Sequence, residues 1–250
     1  MVAALELPAS TYHAPASTNV RIFQLVAVGD CNTSGLEDQR CVPSAIADWA
    51  KQRGLAMRVQ NFAAAMRTSR EGCAQFAEWH EPPDGVLINF GLVDAWPTSI
   101  PWFYIPVYPD KRFRRPLRRL LKAVKRRLRA PWIRRFIPVG PVVPQAEFAV
   151  NIGRMIDHAR QLNPNVRIVL WGTCPTDDPR RDPLIAQYNG ILEQIAVRDH
   201  IPYFDTPRLL ADSERSRCYV DPVHLSEESQ RRIAAAIGPL MCETSSNERR

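Results

Sequence analysis

Five short apolar runs recur along the chain, each ending at loop-forming residues: "RIFQLVAV" (21–28), "LAMRVQNF" (55–62), "GVLINFG" (85–91), "VRIVLWGT" (166–173) and "IPYFD" (201–205). Runs of this length read as strands. Between them, apolar residues recur at helical spacing in "VPSAIADWAKQRG", "SREGCAQFAEWH", "AEFAVNIGRMIDHARQLNP", "PLIAQYNGILEQIAVRDH" and "SEESQRRIAAAIGPLM". Strands that alternate with helices from end to end predict an α/β protein: three layers, α/β/α, around a central, mostly parallel five-stranded sheet. Ligands of such sheets sit beyond the carboxyl ends of the strands. The loops to inspect are therefore "GDCNTSG" after residue 28, "GLVDAWP" after 90, and the stretch after 205 that leads to "DPVHLS".

At 250 residues, without a break in composition, the chain is expected to form one domain over 1–250. The first twenty residues have neither the basic start nor the apolar stretch of a signal peptide, and no window reaches the ~20 apolar residues of a membrane span. The expected location is the cytoplasm, with a peripheral place at the inner membrane surface left open. Cysteines 31, 41, 73, 174, 218 and 242 form no CxxC pair and no cluster with histidines, so free thiols are expected, with no disulfide, metal or cofactor. For five of them the plain reading is a small apolar filler.

Residues 95–145 break the alternation and read as an insertion or lid, rich in Pro, Trp and Arg. Between Lys111 and Arg135 stand 13 Lys and Arg with no acid, leaving 20 basic against 26 acidic residues elsewhere. The formal charge of +7 thus belongs to one local surface. "PLRRLLKAVKRRLR" predicts a helix with Leu117, Leu120, Leu121, Val124 and Leu128 on one face and basic residues on the others. Its plain reading is a lid helix with the leucines on the core. The stronger one is an electrostatic docking surface carried by Arg114, Arg115, Arg118, Arg119, Lys122 and Arg126, because so many like charges repel unless a partner neutralises them. An acyl carrier protein, an anionic glycan or an anionic membrane surface would serve. Nucleic acid ranks lower, since no aromatic residues interleave with the arginines of this helix and the rest of the chain is acidic.

Asp221 and His224 lie three residues apart before a helix start, and such a turn can hold a carboxylate against one imidazole nitrogen while the other accepts a proton. Alone, the pair is a weak signal, since an exposed histidine near a helix start is more often a surface residue. Cys31 follows a strand in a tight Gly-Asp turn, whose backbone N–H groups suit an oxyanion, and a thiol beside an imidazole is a competent nucleophile. The three residues predict a Cys-His-Asp triad. Ser34 is the rival nucleophile; its position after the turn suits a capping role better.

In this order, the three blocks resemble those of the SGNH, or GDSL-type, hydrolases. Gly29, Asp30 and Gly35 match the Gly-Asp-Ser block, "GLVDAWP" is similar to Gly-x-Asn-Asp, and "DPVH" to the final Asp-x-x-His, so the likeness spans roughly 20–240. The resemblance implies a flavodoxin-like SGNH fold and makes Cys31 the nucleophile, His224 the base and Asp221 its orienter. It also implies support from Asp30, Gly91 and Asp94, and an oxyanion donor from the backbone at Ala63 or Ala64. Two positions depart from the pattern: Cys31 stands where the family has Ser, and Val93 where it has an oxyanion-stabilising Asn. "GLVDAWP" followed by an Arg-rich insertion further resembles a branch associated with bacterial polysaccharide-biosynthesis loci, which implies adding or removing an acyl group on a sugar. The expected activity is an esterase, thioesterase or acyltransferase acting on a small or carrier-bound acyl donor. The rival is a catalytically silent relative that binds an acidic partner through the insertion.

Overall fold

The computed structural model describes residues 21–36, 40–100, 105, 107, 112, 114–127, 138–176 and 178–242. The amino-terminal stretch read for a leader, Leu128, and the basic residues Lys111, Arg129, Arg134 and Arg135 lie outside the described residues.

The five expected strands are β1 (Phe23–Gly29), β2 (Met57–Asn61), β3 (Gly85–Asn89), β6 (Arg167–Trp171) and β7 (Tyr203–Phe204), with β4 (Pro97–Ser99) and β5 (Val139–Pro141) between β3 and β6. The five form one parallel sheet in the order β2-β1-β3-β6-β7. Period-two alternation assigns the faces. Leu25 and Ala27 of β1 join the core under α2 (Val42–Lys51) and α9 (Glu227–Cys242). Val26 and Val28 join the core under α3 (Ser69–Phe76), α5 (Gln145–Leu162) and α6 (Asp182–Asp199). Helices on both faces, as the alternation predicts, complete the three layers.

Because β1 pairs with β2 on one side and β3 on the other, the chain reverses direction across the sheet between β1 and β3, and a crevice opens at their carboxyl ends. Gly29 closes β1 there. A Cβ at this position would lie 2.2 Å from Thr33 Oγ1 and 2.7 Å from the Asn89 carbonyl oxygen, so only glycine lets the next turn press against β3. Gly29→Ala is expected to lower stability by about 1–3 kcal/mol, read as a shift in the denaturant midpoint. An unchanged midpoint would mean that the turn relaxes freely.

The insertion differs from expectation at both its base and its helix. Its base is an antiparallel hairpin, β4 with β5, that pairs Ser99 with Val139. The helix α4 (Arg114–Arg127) is tied to that hairpin by Lys125, whose Nζ donates to Thr98 Oγ1 (3.1 Å) and the Ile100 carbonyl (3.3 Å). No residue of α4 is buried, and Leu117, Leu120 and Val124 are 49, 62 and 44% exposed. Leu121 is half-buried, so the described part of the leucine face is largely exposed.

Candidate active site

The first loop is built around Asp30. It caps the four-residue helix α1 (Cys31–Ser34), with Oδ1 accepting from the Asn32 N–H at 3.0 Å. Its Oδ2 accepts from the Leu92 N–H at 3.3 Å, so a single carboxylate ties the β1 and β3 loops together. Thr33 Oγ1 donates to Asn89 Oδ1 (3.2 Å) and Asn89 Nδ2 to the Trp171 carbonyl (2.8 Å), extending the tie to β6. Ser34 donates its hydroxyl to the carbonyls of Cys31 and Gly35, the capping use expected of it.

Cys31 opens α1 and is 8% exposed. Burial and then the Asp30 carboxylate push its thiol well above the ordinary range; Asp221 adds to the rise and Arg181 opposes it. At neutral pH the resting side chain is a thiol, so attack on a substrate needs a base.

An imidazole able to serve as one is held by the third loop. Asp221 Oδ1 accepts from the N–H groups of Val223 and His224, both at 2.8 Å, and Oδ2 lies 2.6 Å from His224 Nδ1. Burial would raise the Asp221 carboxyl, but the ring and backbone donors outweigh it and hold the group below the usual carboxylate value. With Nδ1 committed to Asp221, Nε2 is the nitrogen left for proton transfer. A β-bridge between Tyr219 and Leu225 and the Tyr219 hydroxyl bond to the Pro175 carbonyl (2.9 Å) fasten this loop to the one after β6. Among the described residues no hydrogen bond joins the Cys31 thiol to the His224 ring; their shared element is Asp221, which acts on both.

The oxyanion side differs from the expectation. The Ala63 N–H donates to Asn61 Oδ1 (3.0 Å) and the Ala64 N–H to the Gly29 carbonyl (3.3 Å), so neither is aimed at a substrate. The residue of this loop in left-handed conformation is Met66, with φ 61°. Gly91 (φ 133°) makes the turn after β3, where a Cβ would come within 3.2 Å of Thr173 Oγ1. Asp94 Oδ1 accepts from the N–H and hydroxyl of Ser69, at 2.9 and 2.6 Å, and so pins the start of α3. Val93 is buried and offers no side-chain donor.

Sequence reasoning missed Arg181, which precedes α6 and is 4% exposed. Its guanidinium stacks on the Trp96 ring at 3.6 Å, and Trp96 N–H bonds the Val93 carbonyl at 3.1 Å. Nothing in "DPRRDP" marks this arginine among 33 basic residues. Past Trp96 runs an open groove of about 590 Å³, walled by Pro97, Val139, Pro141 and Pro183. Among the described residues, no His, Cys, Asp and Glu side chains gather as a metal-ligand cluster.

The sequence model of the GDSL-like lipase/acylhydrolase family matches residues 27–232, which takes in all three loops. The chain belongs to that family. No curated protein matches it in sequence. Among solved structures, the lipase/acylhydrolase from Enterococcus faecalis is similar at 18% identity and a TM-score of 0.59, covering 86% of this chain and 93% of that one. An acetylxylan esterase from Geobacillus stearothermophilus is similar at 18% and 0.59, covering 89 and 95%. The family 3 carbohydrate esterase from Clostridium thermocellum is similar at 16% and 0.57, covering 86 and 92%. These likenesses confirm the three-layer fold. Against the GDSL pattern, this member carries Cys31 for Ser and Val93 for Asn, and keeps the Asp and His of the last block at 221 and 224.

Proposed function

We propose that this GDSL-family protein cleaves or transfers acyl groups through a Cys31 acyl-enzyme. The supporting observation is the Asp221–His224 pair, locked by three hydrogen bonds in a loop fastened to the one after β6, at the same carboxyl end of the sheet as the turn that carries Cys31 after β1. Cys31 Sγ forms a bond to the acyl carbon as its proton passes to His224 Nε2. The leaving group then departs with that proton, and water or an acceptor nucleophile resolves the thioester. A thioester yields readily to an amine or a second thiol, so transfer stands beside hydrolysis. The acetylxylan and carbohydrate esterases among similar folds favour an acylated sugar as substrate, and the groove beyond Trp96 offers room for it. Intact-mass spectrometry after exposure to small acyl thioesters and activated esters tests the reading. One acyl adduct, absent in Cys31→Ala, is expected; labelling spread over several cysteines would refute it.

The exposed leucines of α4 favour a location for this chemistry. An apolar stripe flanked by Arg119, Lys122 and Arg126, all exposed, suits the interface of an anionic membrane better than a folded partner. We expect binding to vesicles containing phosphatidylglycerol, none to pure phosphatidylcholine, and release by salt. At about 1 kcal/mol per charge, replacing Arg119, Lys122 and Arg126 by Gln should weaken binding about 100-fold. Equal affinity for both vesicle types would sink the membrane assignment, as would binding only to an acidic carrier protein or glycan.

A further inference from the structure

A guanidinium buried without a partner is costly, because the lost hydration is repaid only by hydrogen bonds and opposite charge. Arg181 has opposite charge nearby, from Asp178 and Asp182, but lacks the hydrogen bonds. Among the described residues its Nε and Nη1 have no hydrogen-bond partner. Those acids act on it by charge and each has one oxygen engaged elsewhere: Asp182 Oδ1 accepts from the N–H and hydroxyl of Thr176, at 2.6 and 2.9 Å, and Asp178 Oδ1 from the Arg180 N–H at 3.0 Å. Trp96 fixes the plane of the group from one side. The fold around it leads back to the nucleophile: Trp96 is bonded to Val93, and Leu92, the residue before Val93, is bonded to Asp30, the residue before Cys31. Arg181 is thus lodged against the loop whose family position for an oxyanion-stabilising amide is occupied by Val93. Its charge also reaches Cys31, where it opposes the effect of burial.

We propose that the Arg181 guanidinium is the oxyanion donor of this site, replacing the side-chain amide missing at position 93. This rests on the Cys31 acyl-enzyme reading and adds a catalytic residue to it. As Sγ bonds to the acyl carbon, the carbonyl π pair moves onto oxygen, and the unpartnered Nε–H and Nη1–H donate to it. When the pair returns, the bond to the leaving group breaks, and His224 supplies the leaving group's proton. Arg181 exchanges no proton, since a guanidinium stays charged throughout. A charged donor forms a hydrogen bond roughly twice as strong as a neutral one, which compensates for a hole with few backbone donors.

The test compares the parent with Arg181→Lys, Arg181→Met and Arg181→Met/Val93→Asn. Acylation by p-nitrophenyl acetate, which carries no anionic group, is followed by intact mass, and alkylation of Cys31 by iodoacetamide, which develops no oxyanion, runs in parallel. Arg181→Met should lower the limiting acylation rate about 10²–10³-fold with little change in KM, while alkylation slows far less. Arg181→Lys should keep part of the rate, and Val93→Asn should restore at least tenfold to the Met variant. Four results would overturn the proposal: unchanged acylation in Arg181→Met, a rise in KM alone, equal slowing of acylation and alkylation, or no rescue by Val93→Asn. A parent that is alkylated at Cys31 and never acylated would remove the acyl-enzyme reading itself; normal acylation of Arg181→Met would leave that reading intact and remove only the role of Arg181.

Discussion

Cys31→Ala is expected to lower turnover of an activated ester by at least about 10⁴-fold, and His224→Ala by a similar factor, since members of a catalytic unit fail together. The physical reason is specific to this site. Burial and two nearby carboxylates keep the Cys31 thiol protonated, so no standing thiolate is available to react without a base. A surface cysteine with an ordinary thiol would lose little when a distant histidine is removed; this one should lose nearly everything. The double variant should be no worse than either single one. Cys31→Ser places a hydroxyl beside the same His224–Asp221 pair and should retain measurable activity. Steady-state kinetics on an uncharged ester decide the matter, and a His224→Ala variant with near-parental rate would end the triad assignment.

The second large effect concerns stability and pH. Asp30 and Asp94 are fully buried. Burial raises both carboxyls, Asp30 to about 7 despite the N–H donors of Asn32 and Leu92, and with a further push from Asp94; Asp94 itself reaches about 6. In the unfolded chain both would titrate near 3.8. From about pH 4 to pH 7 the folded state therefore holds more protons than the unfolded state, and stability falls as pH rises through that window. The protonated forms contribute fully below pH 4, and the contribution is gone above about pH 7. For Asp30 the loss is on the order of 4 kcal/mol. Asn at position 30 keeps the cap and cannot ionise, so Asp30→Asn should flatten the decline, measured as ΔG of unfolding in denaturant from pH 4.5 to 7.5. Parallel curves for parent and variant would show that Asp30 is not the group responsible.

What could be read from the residues tracks how local each determinant is. The inner strands β1, β3 and β6 were legible as near-continuous apolar runs, as strands covered on both faces must be, and the half-buried β2 and β7 by the loop residues that bound them. The β4–β5 hairpin was not: Pro97-Thr-Ser and Val-Gly-Pro141 carry little strand propensity and pair only because the insertion brings them together. Asp221 and His224 were legible because three residues of sequence contain their whole interaction. Met66 was not, since its left-handed backbone sits where glycine would ordinarily signal a turn. Arg181 is the clearest case. Its importance lies in what it fails to touch, a property of burial and of Trp96 that no reading of "DPRRDP" supplies.

The hairpin at the foot of the insertion has a consequence for how such a protein can be varied. Ser99 and Val139 face each other across the hairpin, and the Ile100 N–H bonds the Pro138 carbonyl just beyond them (3.0 Å), so the excursion leaves the hairpin and returns to it at a single point. Lengthening, shortening or exchanging that segment changes loop-closure entropy only logarithmically and leaves the strand register untouched. The insertion and the three loops are therefore separately heritable: one stretch can be rewritten for a new surface while the loops holding Cys31, Asp94 and His224 stay as they are.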